Sequence, residues 1–232
     1  MKNALVTGAS RGIGRQVAIE LSKKGYFVFL AARDKVALGE TKKIIEENNG
    51  ASDLILLDLL SLDSIKSASA LVKQKVNSLN IIANIAGMYH DDNKHFFNIP
   101  FEDYPDDAII KNINSSLIGH ILLTKHLVGI MDEGSCVLNM SGTFDDEETG
   151  VISDFVTKKA VEIFSNQLSL ELKNKGIRSN CIKPDFVYTD NVKKFFPEVR
   201  KEETLDPNYV AKRIVDVCED RELNGQIIEI KR

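Results

Sequence analysis

Thr7-Gly8-Ala9-Ser10-Arg11-Gly12-Ile13-Gly14 follows the first apolar run of the chain, residues 3–7, and opens a segment of helical periodicity at 12–24. A strand that ends in a glycine turn and passes straight into a helix can cradle a phosphate. The glycines let the backbone approach a pyrophosphate, and the free N–H groups and positive end of the helix favour its charge. The same glycines would also make a tight turn that binds nothing, but the strand before and the helix after suit the ligand. Three residues separate the first two glycines, a spacing that differs from the usual dinucleotide fingerprint.

Outward from this turn, strand-like apolar runs recur at 26–31, 53–58, 80–84, 134–140, 177–183 and 226–230. Segments with helical periodicity at 35–48, 103–130, 153–175 and 207–221 fill the spaces between most of them. Leu21-Ser22-Lys23-Lys24-Gly25 and Leu172-Lys173-Asn174-Lys175-Gly176 each place Lys in a last helical turn and Gly just past it. Ser61 reads as the N-cap of a further helix after the third strand. Alternation of this kind predicts a Rossmann-like, three-layer, doubly wound parallel α/β sheet of about seven strands, in one domain over residues 1–232. Ligands of such sheets bind at the carboxyl ends of the strands, and Gly8, Asp58, Gly87, Ser141 and Pro184 all stand at or just beyond such ends.

Composition narrows the function. Hydrophobic residues make up 43% and charged residues 28%, a profile that allows a sizeable core. The net charge of −4, with acids and bases interleaved, offers no basic stripe for a nucleic acid. No early apolar stretch reads as a signal peptide and no later one is long enough to span a bilayer, so a cytoplasmic protein without a membrane partner is expected. Cys136, Cys181 and Cys218 are odd in number and far apart, which predicts free thiols. His90, Asp91, Asp92 and His95 cluster after the fourth strand, but their spacing fits no metal motif, and a polar loop with no metal is expected. The acidic run 145–148 reads as a solvated loop, and His120 and His126 as surface or interface residues of a long helix.

Several ordered elements together resemble the short-chain dehydrogenase/reductase family over nearly the whole chain. They are the glycine turn, Asp58-Leu59, Asn84-Ile85-Ala86-Gly87, Asn114, Lys159, the strand Ile177 to Pro184, and Thr189. The resemblance implies that Gly8, Ser10, Arg11, Gly12, Ile13 and Gly14 hold a dinucleotide pyrophosphate. It implies that Asp58 and Leu59 meet adenine, that Asn84, Ala86 and Gly87 line the site, and that Lys159 holds ribose. Pro184 and Thr189 would then lie near the nicotinamide. The second strand ends Leu30-Ala31-Ala32-Arg33, with Ala32 at the expected acid position and Arg33 and Arg11 able to meet a 2′-phosphate, so the cofactor expected is NADP(H).

The catalytic positions implied by the resemblance are Asn114, Ser141, Phe155 and Lys159. The family's tyrosine position falls on Phe155, four residues before Lys159, and a phenyl ring cannot exchange a proton. Thirteen residues before Phe155, where a serine is expected, stands Gly142, with Ser141 one residue early. Asp185 follows Pro184 where the family has glycine, and would bring a carboxylate towards the nicotinamide or face solvent as a turn residue. Tyr188, Ser153 and Asp154 are conceivable proton donors without the required spacing to Lys159. Hydride exchange between NADP(H) and a carbonyl or alcohol is therefore expected from an altered active site. A catalytically silent NADP(H) sensor or regulatory partner, and a non-redox isomerase or dehydratase, are the alternatives. The resemblance further implies a homodimer or homotetramer through the helices at 103–130 and 153–175, the dimer more than the tetramer because no C-terminal tail follows the last strand. The segment from Asp185 to Asp206, with Phe195, Phe196 and Pro197, corresponds to the family's substrate lid or to ordinary packing.

Overall fold

The computed structural model describes residues 1–90, 95–144 and 149–232. The apolar runs form β1 (Asn3–Thr7), β2 (Phe27–Ala32), β3 (Ala51–Leu56), β4 (Ile81–Asn84), β5 (Cys136–Met140), β6 (Arg178–Pro184) and β7 (Ile227–Ile230). All neighbours pair in parallel, in the order β3-β2-β1-β4-β5-β6-β7. The central strands are apolar on both faces because both faces are covered. Val6, Val28 and Leu138 belong to one buried layer, and Leu5, Phe29 and Val137 to the other.

Eight helices cover the sheet among the described residues: α1 (Gly12–Lys23), α2 (Lys35–Glu47), α3 (Leu62–Lys75), α4 (Asp106–Ile113), α5 (Gly119–Leu127), α6 (Ile152–Glu171), α7 (Asp190–Phe195) and α8 (Pro207–Glu219). Ser61 caps α3 as expected, its hydroxyl accepting from the Ser64 N–H at 3.2 Å. The helix expected over 103–130 is instead broken. Pro105 precedes α4, and a π-helical turn at Asn114–Ile118 joins α4 to α5. α5 starts on a glycine pressed against the chain beyond β3, since a Cβ on Gly119 would lie 2.6 Å from the Leu59 carbonyl oxygen. No helix among the described residues is long and apolar enough to cross a membrane.

His120 corrects the surface reading. It is buried, with Nε2 3.0 Å from the Thr7 hydroxyl and Nδ1 3.2 Å from the Ser116 carbonyl oxygen. A carbonyl only accepts, so a neutral ring with Nδ1 protonated satisfies both contacts. Thr7 Oγ1 in turn accepts from the N–H groups of Ile85 and Ala86 at 2.9 and 3.1 Å, tying β1 to the end of β4. Burial pushes the imidazole down to about 4. Because the folded value lies below that of the unfolded chain, the stabilisation is complete above pH 6.5 and is lost as pH falls through 6.5 towards 4. The loss should be on the order of 3 kcal/mol. Urea denaturation across this range should show the acid-side fall in wild type and a flatter profile in His120→Gln, and equal slopes would contradict the assignment.

Candidate active site

Strand order reverses between β1 and β4, and a cleft of about 710 Å³ opens there at the carboxyl ends of the strands. The glycine turn forms one wall through Gly8, Ser10, Arg11, Gly12, Ile13 and Gly14. Gly8 has φ of 69°, and a Cβ there would lie 3.1 Å from the Ala86 Cα, so only glycine lets the turn and the end of β4 meet. Four other helices carry side-chain caps, Asp34 on α2, Ser61 on α3, Thr189 on α7 and Asp206 on α8, whereas α4, α5 and α6 do not. α1 has no side-chain cap and no acid in its first turn. Its positive end is therefore left for an anion.

Arg33, Asp58, Leu59, Ala86, Gly87 and Thr189 also wall the cleft. Arg33 is exposed and holds no ion pair among the described residues. The sequence reading put the acid position at Ala32, yet Asp34, the residue after Arg33, lines the cleft as well. That carboxylate is engaged locally, accepting from the Ala37 N–H at 3.0 Å and lying 3.9 Å from Arg11. Three expected cofactor residues are not walls: Asn84, Pro184 and, on α6, Lys159. Asn84 is buried, its amide donating to Asn139 Oδ1 at 2.9 Å and to Thr124 Oγ1 at 3.1 Å. Pro184 ends β6, and its carbonyl accepts from the Thr143 N–H at 3.1 Å.

The catalytic end differs from the sequence expectation by one residue. On α6 the side chains that line the cleft are Asp154 and Lys158, four residues apart, and neither Phe155 nor Lys159 is a wall. Each residue turns a helix by about 100°, so a one-residue shift carries a side chain to another face. Lys159 Nζ lies 5.5 Å over the Phe155 ring, and Phe155 packs edge-on against Phe144 at 5.5 Å. Lys158 Nζ donates to the Met140 carbonyl at 3.3 Å. Asp154 is 6% exposed, and its Oδ1 accepts from Asn112 Nδ2 at 3.3 Å. Burial raises the Asp154 carboxyl above the usual carboxylate range, against the opposing pull of Lys158 and Asn112.

Ser141 stands thirteen residues before Asp154, but its hydroxyl is turned away, its one proton going to Glu162 Oε1 at 2.8 Å with the Lys158 carbonyl also within reach at 3.2 Å. Gly142 sits beside the Lys158 side chain instead. Asn114 begins the π turn and is not a cleft wall. Its neighbours Asn112 and Ser116 grip the chain after β4, at the Met88 carbonyl (2.7 Å) and the Met88 N–H (3.2 Å). Tyr89, missed in the sequence, lines the cleft, and burial pushes its phenol up to about 12. Tyr188 does not line it and lies under Lys193 Nζ at 5.3 Å. Asp185 is turned from the cleft, its Oδ2 accepting from the Arg232 N–H at 3.4 Å.

The segment read as a lid or as ordinary packing forms α7 and packs on the loop after β4. His90 lies 4.7 Å from Phe195 and His95 4.6 Å from Phe196 between ring centres, while Asn191 bonds His90 at 2.7 Å. Asp91, Asp92 and the acidic run 145–148 lie outside the described residues. Among the described residues, no three His, Cys, Asp or Glu side chains gather as a metal site.

Comparison with known proteins agrees with this architecture. The chain is 27% identical to the uncharacterised oxidoreductase YgfF of Escherichia coli (strain K12) over 198 residues, covering 82% of this chain and 78% of that protein. It is 26% identical to the 3-oxoacyl-[acyl-carrier-protein] reductase of Mus musculus, covering 98% and 95%. A short chain dehydrogenase from Burkholderia cenocepacia J2315, solved in complex with NADP, superposes with a TM-score of 0.87 at 21% identity, covering 99% of this chain and 96% of the other. The family described as short chain dehydrogenase matches residues 2–200. That span holds every residue that walls the cleft, and the chain belongs to the short chain dehydrogenase family.

Proposed function

We propose that the protein is an NADP(H)-dependent oxidoreductase acting on a carbonyl or alcohol substrate in this cleft. The observation that carries the reading is the single continuous wall running from the uncapped α1 terminus, past Arg33 and Asp58, to Lys158 and Asp154. The donor set fits the cofactor: a free helix end for pyrophosphate, Arg33 and Arg11 for a 2′-phosphate, and Lys158 at the place the family uses for ribose. Bound cofactor supplies hydride. Asp34 does not oppose a 2′-phosphate freely, because it caps α2 and faces Arg11. The NADP complex of the Burkholderia relative and a NADPH complex of an actinorhodin polyketide ketoreductase support the same choice.

A silent NADP(H) sensor is the second reading, favoured by the absence of a phenol on the cleft face of α6. The homo-oligomer expected from the sequence is supported by Val156, Ile163 and Leu170, exposed by 53%, 66% and 60% at seven-residue intervals on α6.

Calorimetric titration with NADPH and NADH tests the cofactor. Arg33→Ala should weaken NADPH by about 10–100-fold, the value of a charge-assisted contact, and leave NADH within a few-fold. Equal losses for both dinucleotides would remove the 2′-phosphate role, and no NADPH binding by wild type would overturn the function.

A further inference from the structure

Asp154, and not Phe155 at the family's tyrosine spacing, is the α6 residue that presents a titratable group to the cleft ahead of Lys158. It lines the cleft, is 6% exposed, stands four residues before Lys158 on the same face of α6, and has no cation within 4 Å among the described residues. Its one described hydrogen bond comes from the neutral amide of Asn112, at 3.3 Å. A buried carboxylate without an ion pair is costly, whereas a neutral carboxylic acid is tolerated and gains an O–H to donate. Three titratable groups face it among the described residues: Lys158 from its own helix, Tyr89 from the chain after β4, and Tyr104 ahead of α4. Both phenols are held neutral by burial, pushed up to about 12, so Lys158 is the one charge in that set. Lys158 in turn is drawn towards the Met140 carbonyl rather than the Asp154 carboxyl.

We propose that Asp154, as a neutral carboxylic acid, is the proton donor of this site, bonded to the substrate oxygen and held in place by Asn112. The inference rests on the NADP(H) oxidoreductase reading and replaces its missing phenol. In the reducing direction the carbonyl carbon accepts hydride from the reduced nicotinamide dinucleotide, and the C=O π pair moves to oxygen. That oxygen takes the Asp154 proton. The carbonyl is reduced to an alcohol, the dinucleotide is oxidised, and the Asp154 carboxylate regains a proton from solvent before the next turnover. Burial works in the required direction, since it favours the neutral acid, and a neutral acid near neutral pH is the form that can donate. Reduction should then fall as pH rises through the Asp154 ionisation.

Two measurements on the full-length protein decide this. Infrared difference spectra of wild type minus Asp154→Asn, with and without NADP, should show the C=O stretch of a protonated carboxyl at neutral pH that disappears on alkaline titration. NADPH oxidation with an aromatic aldehyde, an aliphatic ketone and a 1,2-diketone should lose about 10²–10⁴-fold in kcat in Asp154→Asn, with NADPH affinity kept within a few-fold. The pH midpoint of wild-type kcat should coincide with that of the infrared band. An ionised Asp154 throughout the neutral range, or turnover by Asp154→Asn equal to wild type, overturns the proposal and leaves the cofactor reading standing. Should no substrate in the panel be reduced, the infrared titration alone supports or rejects the neutral acid. Absence of NADPH binding in wild type removes the cofactor reading and this proposal with it.

Discussion

Gly14→Ala should cost the protein about 3 kcal/mol or more and abolish NADPH binding, although it adds one methyl group. A Cβ at Gly14 would lie 2.3 Å from the Gly8 carbonyl oxygen, 2.6 Å from the Gly8 carbonyl carbon and 3.0 Å from the Thr7 oxygen. All three atoms are backbone, so no rotamer change relieves the clash. Either α1 moves away from the turn or the turn leaves β1, and each movement dismantles the cradle at the helix end. For a chain of 232 residues this corresponds to a fall in Tm of roughly 6 °C or more. Gly39→Ala is the matched control. Gly39 lies inside α2 with nothing within 4 Å of an added Cβ, so the change should stabilise by roughly 0.5–1 kcal/mol through helix propensity. Scanning calorimetry and NADPH titration on both variants check the pair, and wild-type stability in Gly14→Ala would show that the turn is not packed as described.

The parts of the fold legible in the sequence were those written in local pattern. Buried central strands appear as unbroken apolar runs, and helix ends carry their own chemistry: Gly25 and Gly176 take φ of 83° and 64° just past their helices, as the Lys-then-Gly pattern implies. β3 was misplaced by two residues because it is an edge strand. Its first residues, Ala51 and Ser52, lie ahead of the apolar run at 53–58, whose first member, Asp53, pairs with Lys75 at 2.8 Å. No periodicity announces the π-helical turn between α4 and α5, nor the close approach of Gly119 to Leu59 beside it, a contact between segments distant in sequence.

The same division runs through the site. The glycine turn, Arg33 and Asp58 stand in or directly after strands, so their position follows once the strands are known. On α6 two adjacent lysines offered two equally spaced pairs, Phe155 with Lys159 and Asp154 with Lys158. Phase could have separated them: Val156 and Ile163 are outward apolar residues, while Asp154, Thr157, Val161 and Ser165 form the buried side. Asn112 and Tyr89 reach the same corner from other elements, and only the folded chain brings them to Asp154.

Arg178→Met should lower stability by about 3 kcal/mol without weakening NADPH, because this arginine serves the end of the sheet opposite the cleft. It begins β6 inside an apolar run and is 6% exposed. Its Nη2 donates to the Cys218 carbonyl at 2.6 Å, and its Nη1 to the carbonyls of Leu223 at 3.1 Å and Val217 at 3.4 Å. Two of these carbonyls belong to the last turn of α8, which is unpaired within the helix and carries its negative end. Methionine keeps much of the packing but leaves three carbonyl oxygens without this donor, each costing about 1–3 kcal/mol when buried. The total stays near the lower end because the guanidinium Nε is itself buried and unpartnered, and its removal offsets part of the loss. Arg178→Lys should recover only a minor part, since one ammonium cannot span α8 and the chain beyond it as a planar fork does. Denaturant unfolding with NADPH titration separates the outcomes. A loss of affinity equal to the loss of stability would tie Arg178 to the cofactor cleft, while unchanged stability in Arg178→Met would mean that water replaces the guanidinium at the end of α8.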